Sequence, residues 1–174
     1  MRKVVLFIAQ SLDGYIATHD DSLDWLFSVE GEGDNGYAEF FSTVDTVLMG
    51  KRTYDWVMQQ ENGVFPYPDK KCYIFSKADN EDTEYVTFIS GDISQFITNL
   101  KKEEGRDIWV VGGGNLLHSF FKEGLVDELR ITVAPRVLGD GIPLFKKGDY
   151  HLDLSLSGTR TFNQFVELHY EVLK

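Results

Sequence analysis

The sequence predicts a single α/β domain, residues 1–174, with a mainly parallel sheet, flanking helices and antiparallel strands at the C-terminal end. Two observations carry that expectation. Short apolar runs rich in β-branched and aromatic residues alternate with segments of helical periodicity, the pattern of a sheet built through crossover connections. The alternation stops after Ala134, where two long strand-like runs follow one another and form an antiparallel edge. No internal repeat, low-complexity tract or linker divides the chain.

The first strand is Lys3–Ala9. Asp13-Gly14 marks a turn, and Tyr15-Ile16-Ala17 is a short extended piece. Polar Thr18 to Ser22 leads to Leu23-Asp24-Trp25-Leu26-Phe27. Gly31, Gly33 and Gly36 punctuate a loop before a helix over Tyr37 to Thr43. Thr46–Met49 is a strand that Gly50 ends, and Lys51 to Gln60 is a helix because Tyr54, Val57 and Met58 recur at i, i+3 and i+4. Pro66 and Pro68 place a loop ahead of the strand Cys72–Phe75. Ala78 to Thr83 is acidic and exposed, and Tyr85–Ile89 is a further strand. Asp92 or Ser94 caps a helix reaching Glu104, with Ile93, Phe96, Ile97 and Leu100 on one face and Gly105 as its stop. The strand Ile108–Val111, three glycines, a helix from Asn115 to about Lys122 and the strand Leu129–Ala134 follow. Asp140-Gly141 is a turn signal, and strands around Leu152–Arg160 and Phe165–Leu173 close the chain.

The chain is 43% hydrophobic, enough for a core, and its formal net charge of −11 argues against non-specific binding to nucleic acid or to an anionic membrane surface. Cys72 is the single cysteine, so no intrachain disulfide forms; its strand setting predicts a packed thiol. No apolar run approaches the roughly 20 residues of a membrane span. No signal peptide precedes the first strand, so the expected location is cytoplasmic. His19, His118, His151 and His169 lack metal-ligand spacing, and no metal is assigned.

Chemistry is suggested by three strand ends. Val110-Val111 runs into Gly112-Gly113-Gly114 and at once into the helix beginning Asn115-Leu116. Strand, bare turn, helix start is how backbone N–H groups are brought against a phosphate, although a tight turn reads the same way. Leu117 stands where the third glycine of a G-x-G-x-x-G fingerprint belongs. A second strand runs into Gly50-Lys51-Arg52-Thr53, placing two cations against the helix macrodipole. Lys51 and Arg52 suit an extra phosphate such as the 2′-phosphate of NADP, and Thr53 suits the diphosphate. A third strand ends in Ser76-Lys77. Ligands of open α/β sheets lie beyond such carboxyl ends, so the three together specify a site better than any one alone.

These motifs resemble a family. Ser11 to Ala17, Leu23-Asp24-Trp25-Leu26, Leu48 to Tyr54, Val110 to Asn115, Leu125 to Leu129 and Leu138 to Phe145 are similar to the reductase (C-terminal) domain of the bifunctional riboflavin-biosynthesis deaminase–reductase, within the wider dihydrofolate-reductase-like family. The resemblance covers nearly the whole chain. It implies a dihydrofolate-reductase-like mixed, mostly parallel sheet, NADPH as cofactor and a homodimer. It assigns Gly50, Lys51, Arg52 and Thr53 to the first cofactor turn and Ser76 and Lys77 to the adenosine phosphate. Gly112, Gly113, Gly114, Asn115 and Leu116 go to the diphosphate turn, and Ala9 faces the nicotinamide. Asp13-Gly14 and Ile16-Ala17 form the loop folded over that ring. Dihydrofolate reductases carry proline–tryptophan where this chain has Asp24-Trp25, and their buried substrate acid has no clear counterpart, Glu30 being the nearest. The deaminase zinc signature is absent.

The expected activity is NADPH-dependent reduction of a small pterin- or aminopyrimidine-like heterocycle; the alternative is a nucleotide-binding or regulatory module without turnover. Asp24 is the candidate catalytic residue, gripping an amino-heterocycle or relaying a proton, against a plain helix-start role. Asp13 and Trp25 are candidate substrate contacts, against a turn former and a core side chain respectively. Trp56 and Trp109 read as core.

Overall fold

A computed structural model describes residues 1–174. In order along the chain the elements are β1 (Val4–Ser11), β2 (Tyr15–Ala17), α1 (Asp24–Phe27), α2 (Tyr37–Ser42), β3 (Val44–Gly50), α3 (Lys51–Gln60), β4 (Lys71–Phe75) and β5 (Val86–Ile89). Then come α4 (Ile93–Lys102), β6 (Asp107–Gly112), α5 (Gly114–Lys122), β7 (Glu128–Ala134), β8 (Ile142–Pro143), β9 (Asp153–Phe162) and β10 (Phe165–Leu173). The main sheet has eight strands in the order β5-β4-β3-β6-β1-β7-β10-β9. Pairing is parallel from β5 through β7 and antiparallel where β10 joins β7 and β9. The fold class read from the sequence is therefore the one observed.

Strand alternation sorts the core onto two faces. Val4, Leu6, Leu48, Ile108 and Val110 point to a 17-residue cluster that α4 and α5 cover with Ile97, Leu100, Leu116, Leu117, Phe120 and Phe121. Val5, Val47, Met49 and Trp109 point the other way, into a 10-residue cluster closed by Phe40 of α2, with Tyr54 and Met58 of α3 packed against it. The long central runs are apolar on both sides because both faces are covered.

Most elements match the sequence expectation, with strand ends shifted by one to two residues. Asp92 is the cap of α4, its carboxylate accepting from Gln95 N at 2.8 Å. Helix α5 begins at Gly114 rather than Asn115. Two elements were not anticipated: the four-residue α1, too short to show a period, and β8. Strand β8 pairs antiparallel with β2, Tyr15 opposite Pro143, a contact that no local pattern announces.

Candidate functional site

The carboxyl ends of β1, β6, β3 and β4 lie side by side, with Met49 paired to Gly112 and Gly50 to Phe75. Two of these strands pass straight into helices. Gly50 is the N-cap of α3 and Gly113 that of α5, and neither cap supplies a side-chain hydrogen bond. The first N–H groups of both helices are thus left for a ligand. Gly112 has φ 131°, a region that favours glycine, and the Gly112–Gly113 peptide is cis. A Cβ on Gly113 would lie 3.0 Å from Thr53 Oγ1, so the bare backbone is what lets the two helix starts approach each other.

A cavity of about 940 Å³ opens there. Of the residues the sequence singled out, Ala9, Ile16, Gly50, Arg52, Thr53, Gly113, Gly114, Asn115 and Leu116 line it. Arg52 holds Asp21 in a fork, Nη2 at 2.8 Å and Nε at 3.2 Å from the carboxylate. Lys146 reaches Asn115 Oδ1 from the loop after β8. The cradle therefore combines two open helix N-termini, a glycine close approach and two cations, a donor set that fits a diphosphate-bearing nucleotide.

Other expected residues stand outside the wall. Lys51 reaches along α3 to Asp55, one turn on and 2.6 Å away. Ser76 and Lys77 follow β4, one strand beyond β3, where Ser76 Oγ accepts from Asn80 Nδ2 at 3.0 Å. Gly14, at φ 91°, shapes the turn after β1 and accepts from Leu144 N at 2.9 Å through its carbonyl. Asp13 ties that turn down. Its carboxylate accepts from Leu138 N at 3.1 Å, Gly139 N at 2.8 Å and the Ser11 hydroxyl at 2.5 Å. Those bonds, the Ser11 hydroxyl foremost, hold the carboxyl below the usual carboxylate range. A substrate contact was expected of Asp13; the structure has it fully engaged as a latch between two loops.

Asp24 was expected to face the cleft. It is exposed instead, at the first position of α1, and its neighbours Leu23, Leu26 and Phe27 form the wall. Trp25 packs against the Ala134, Phe162 and Phe165 cluster and donates Nε1 to Ser22 O at 3.2 Å, so its ring faces the core rather than the cleft. Leu23, Leu26 and Phe27, spaced i, i+3 and i+4, form the stripe that lines the cavity, and neither Asp24 nor Trp25 is part of that wall.

The inner wall is aromatic. Ring centroids of Phe7 and Tyr37 are 6.4 Å apart, Tyr37 and Trp109 6.0 Å, and Tyr67 and Trp109 5.7 Å. Trp109 Nε1 donates to Phe7 O at 3.2 Å. Burial pushes the Tyr37 and Tyr67 phenols above their ordinary range, so both stay neutral. Trp56 also lines the cavity. Trp56 and Trp109 had been read simply as core; Trp109 is 5% exposed and serves both core and cleft. Tyr67 sits between Pro66 and Pro68 in a loop with no periodic pattern, so nothing in the sequence pointed to it.

Comparison with known proteins agrees with this geometry. A family model for the RibD C-terminal domain matches residues 2–168. The uncharacterized protein YwjB of Bacillus subtilis (strain 168) is 51% identical over 170 residues, covering 97% of each chain. The crystal structure of a putative riboflavin biosynthesis protein from Shewanella sp. PV-4 superposes with a TM-score of 0.88 at 30% identity, covering 99% of each chain. Dihydrofolate reductase from Enterococcus faecalis, complexed with NADP(H), shares the fold with a TM-score of 0.69 at 14% identity, over 99% of this chain and 97% of that one. Strand order, glycine turns and a match over residues 2–168 converge: this chain belongs to the RibD C-terminal domain family and has the dihydrofolate-reductase-like fold.

Proposed function

We propose that the protein is an NADPH-dependent reductase of a small ring compound. One observation carries the reading: two uncapped helix N-termini, at Gly50 and Gly113, converge on a cleft whose other wall is aromatic. When bound, the dihydronicotinamide supplies a hydride, and the protein's part is alignment and dryness. The backbone at Gly50–Thr53 and Gly113–Leu116 would hold the diphosphate, with the Thr53 hydroxyl as a further donor. Arg52, released from Asp21, would take the 2′-phosphate, and Ser76 and Lys77, at the end of the next strand, would serve the adenosine phosphate. Ala9 at the end of β1 and Ile16 of β2 would flank the reactive ring. Phe7, Tyr37 and Trp109 would exclude water from it.

The surface position of Asp24 favours a second reading, a nucleotide-binding module without turnover. Titration of NADPH and NADH by tryptophan fluorescence tests the first, since Trp56 and Trp109 line the cleft. A charge-assisted hydrogen bond contributes about 1.5–3 kcal/mol, so NADPH binds at least about tenfold tighter than NADH. Arg52→Ala removes most of that preference. Equal affinity for the two cofactors refutes the reading, and NADPH consumption with any ring substrate refutes the second.

A further inference from the structure

We infer that the inner half of the cleft takes an uncharged, planar ring molecule and discriminates against phosphate esters and other anions. The inference rests on the reading of the opposite half as the nucleotide site.

Charge is distributed unevenly around the cavity. Arg52 lies on the first turn of α3, and Lys146 is bound to Asn115 on the first turn of α5, so both lining cations with fixed charge stand at the helix starts. His19, the other basic group in the wall, is an exposed side chain 3.0 Å from Asp140. The inner half offers Phe7, Tyr37, Tyr67 and Trp109, with Trp56 and Phe27 nearby in the wall. Its charged neighbour is Glu61, an exposed carboxylate among the lining residues.

Neither of the cations behind this wall, Lys70 and Arg130, lines the cavity. Lys70 donates to Phe41 O at 3.0 Å and Val44 O at 2.7 Å, and its ammonium lies 4.2 Å over the Phe41 ring. Arg130 lies 5.6 Å from the Phe40 ring centroid with its buried Nε unpartnered, and Phe40 in turn stacks on Phe7 at 4.2 Å, so the aromatic layer stands between Arg130 and the cleft, whose wall does not include it.

An anion in that half would shed water, find no cation in the wall itself, and face Glu61 in a chain of net charge −11. A flat uncharged ring meets the opposite situation. It gains offset-stacked and edge-to-face contacts with four mutually packed aromatic side chains. The neutral phenols of Tyr37 and Tyr67, which hydrogen-bond to each other, leave one hydroxyl hydrogen to donate to its carbonyl and lone pairs to accept from its ring N–H.

The test measures binding of matched pairs by tryptophan quenching and calorimetry, with the cofactor half filled by saturating NADP⁺. One pair is 2-methyl-1,4-naphthoquinone and 1,4-naphthoquinone-2-sulfonate; the other is a ribosylaminopyrimidine and its 5′-phosphate. The uncharged member binds at least tenfold tighter in both pairs. In Glu61→Lys, at an exposed position, the gap narrows at least threefold because the anion gains affinity. Equal or tighter binding of the charged member, a gap unchanged in Glu61→Lys, or binding of neither uncharged ring overturns the inference. Titration with NADP⁺ alone separates the two readings. If the nucleotide fails to bind while the uncharged rings still bind tenfold tighter, the nucleotide site is wrong and the inner-half inference stands.

Discussion

Replacing Gly113 with alanine adds one carbon at the point where α3 and α5 begin. Gly113 has φ −79° and ψ −161°, an extended conformation open to any residue, so the backbone itself accepts the change. The new Cβ meets Thr53 Oγ1 at 3.0 Å, and that hydroxyl can rotate away. The fold therefore loses less than about 1 kcal/mol, a melting-temperature shift of roughly 2–4 °C at most. Binding responds differently. The methyl occupies the approach to the N–H groups of α5 and displaces the Thr53 hydroxyl from its place beside them. Loss of two charge-assisted hydrogen bonds at about 1.5–3 kcal/mol each weakens NADPH binding by about 10²–10⁴-fold. Calorimetric titration of NADPH measures it, with thermal unfolding followed in parallel. Gly158→Ala, where an added Cβ meets nothing within 4 Å, is the control and leaves both quantities unchanged. NADPH affinity within threefold of the unsubstituted protein in Gly113→Ala would mean the glycine turn is structural, and the reasoning fails.

Three further outcomes follow from other sites. Asp24→Asn keeps turnover within threefold, because the carboxylate is exposed and outside the cleft wall; a loss of about 10²–10⁴-fold in steady-state assays would restore a proton-handling role. Burial opposes the charge on Asp127, but hydrogen bonds from Lys101, Lys174 and Val4 N outweigh it and hold the carboxyl below 3.8. A depressed folded-state value gives stability that is present above the ordinary value and lost as pH falls through the folded one. Thermal unfolding from pH 6 to about pH 3 accordingly shows a fall in melting temperature that flattens in Asp127→Asn. Burial pushes the Cys72 thiol up to about 12, and the side chain is 4% exposed, so the folded protein does not react with a disulfide reagent and one thiol per chain appears on denaturation.

The sequence was most legible where period and punctuation agree. Lys51–Gln60 has three apolar side chains on one stripe and a glycine before it, and α3 has those bounds. The glycine turns were legible because few other reasons place three glycines between a β-branched run and a helix. Their meeting at one site was expected from the strand ends, but not that β3 and β6 are direct neighbours, since β4, β5 and α4 intervene in sequence. The inner half of the cleft was illegible for a different reason. Phe7, Tyr37, Tyr67 and Trp109 come from two strands, a helix and a loop; Trp109 reads locally as core and no local pattern links the other three to it. Asp24 and Trp25 show the converse: both were read from proximity in sequence to a cleft-lining segment, and in the structure Leu23, Leu26 and Phe27 of that segment line the cavity while Asp24 and Trp25 do not.

The position of β1 has a consequence for how the chain is made. It lies in the interior of the sheet, with Val4 paired to Ile108 on one side and Val5 to Glu128 on the other. Both partners are synthesised more than a hundred residues later. An emerging chain therefore carries a strand of apolar residues with two unsatisfied edges until β6 and then β7 leave the ribosome. Loop closure over that distance precedes any reward from pairing, so productive folding waits for β6 and β7, and the waiting segment Val4–Ser11 is what a chaperone would have to shield.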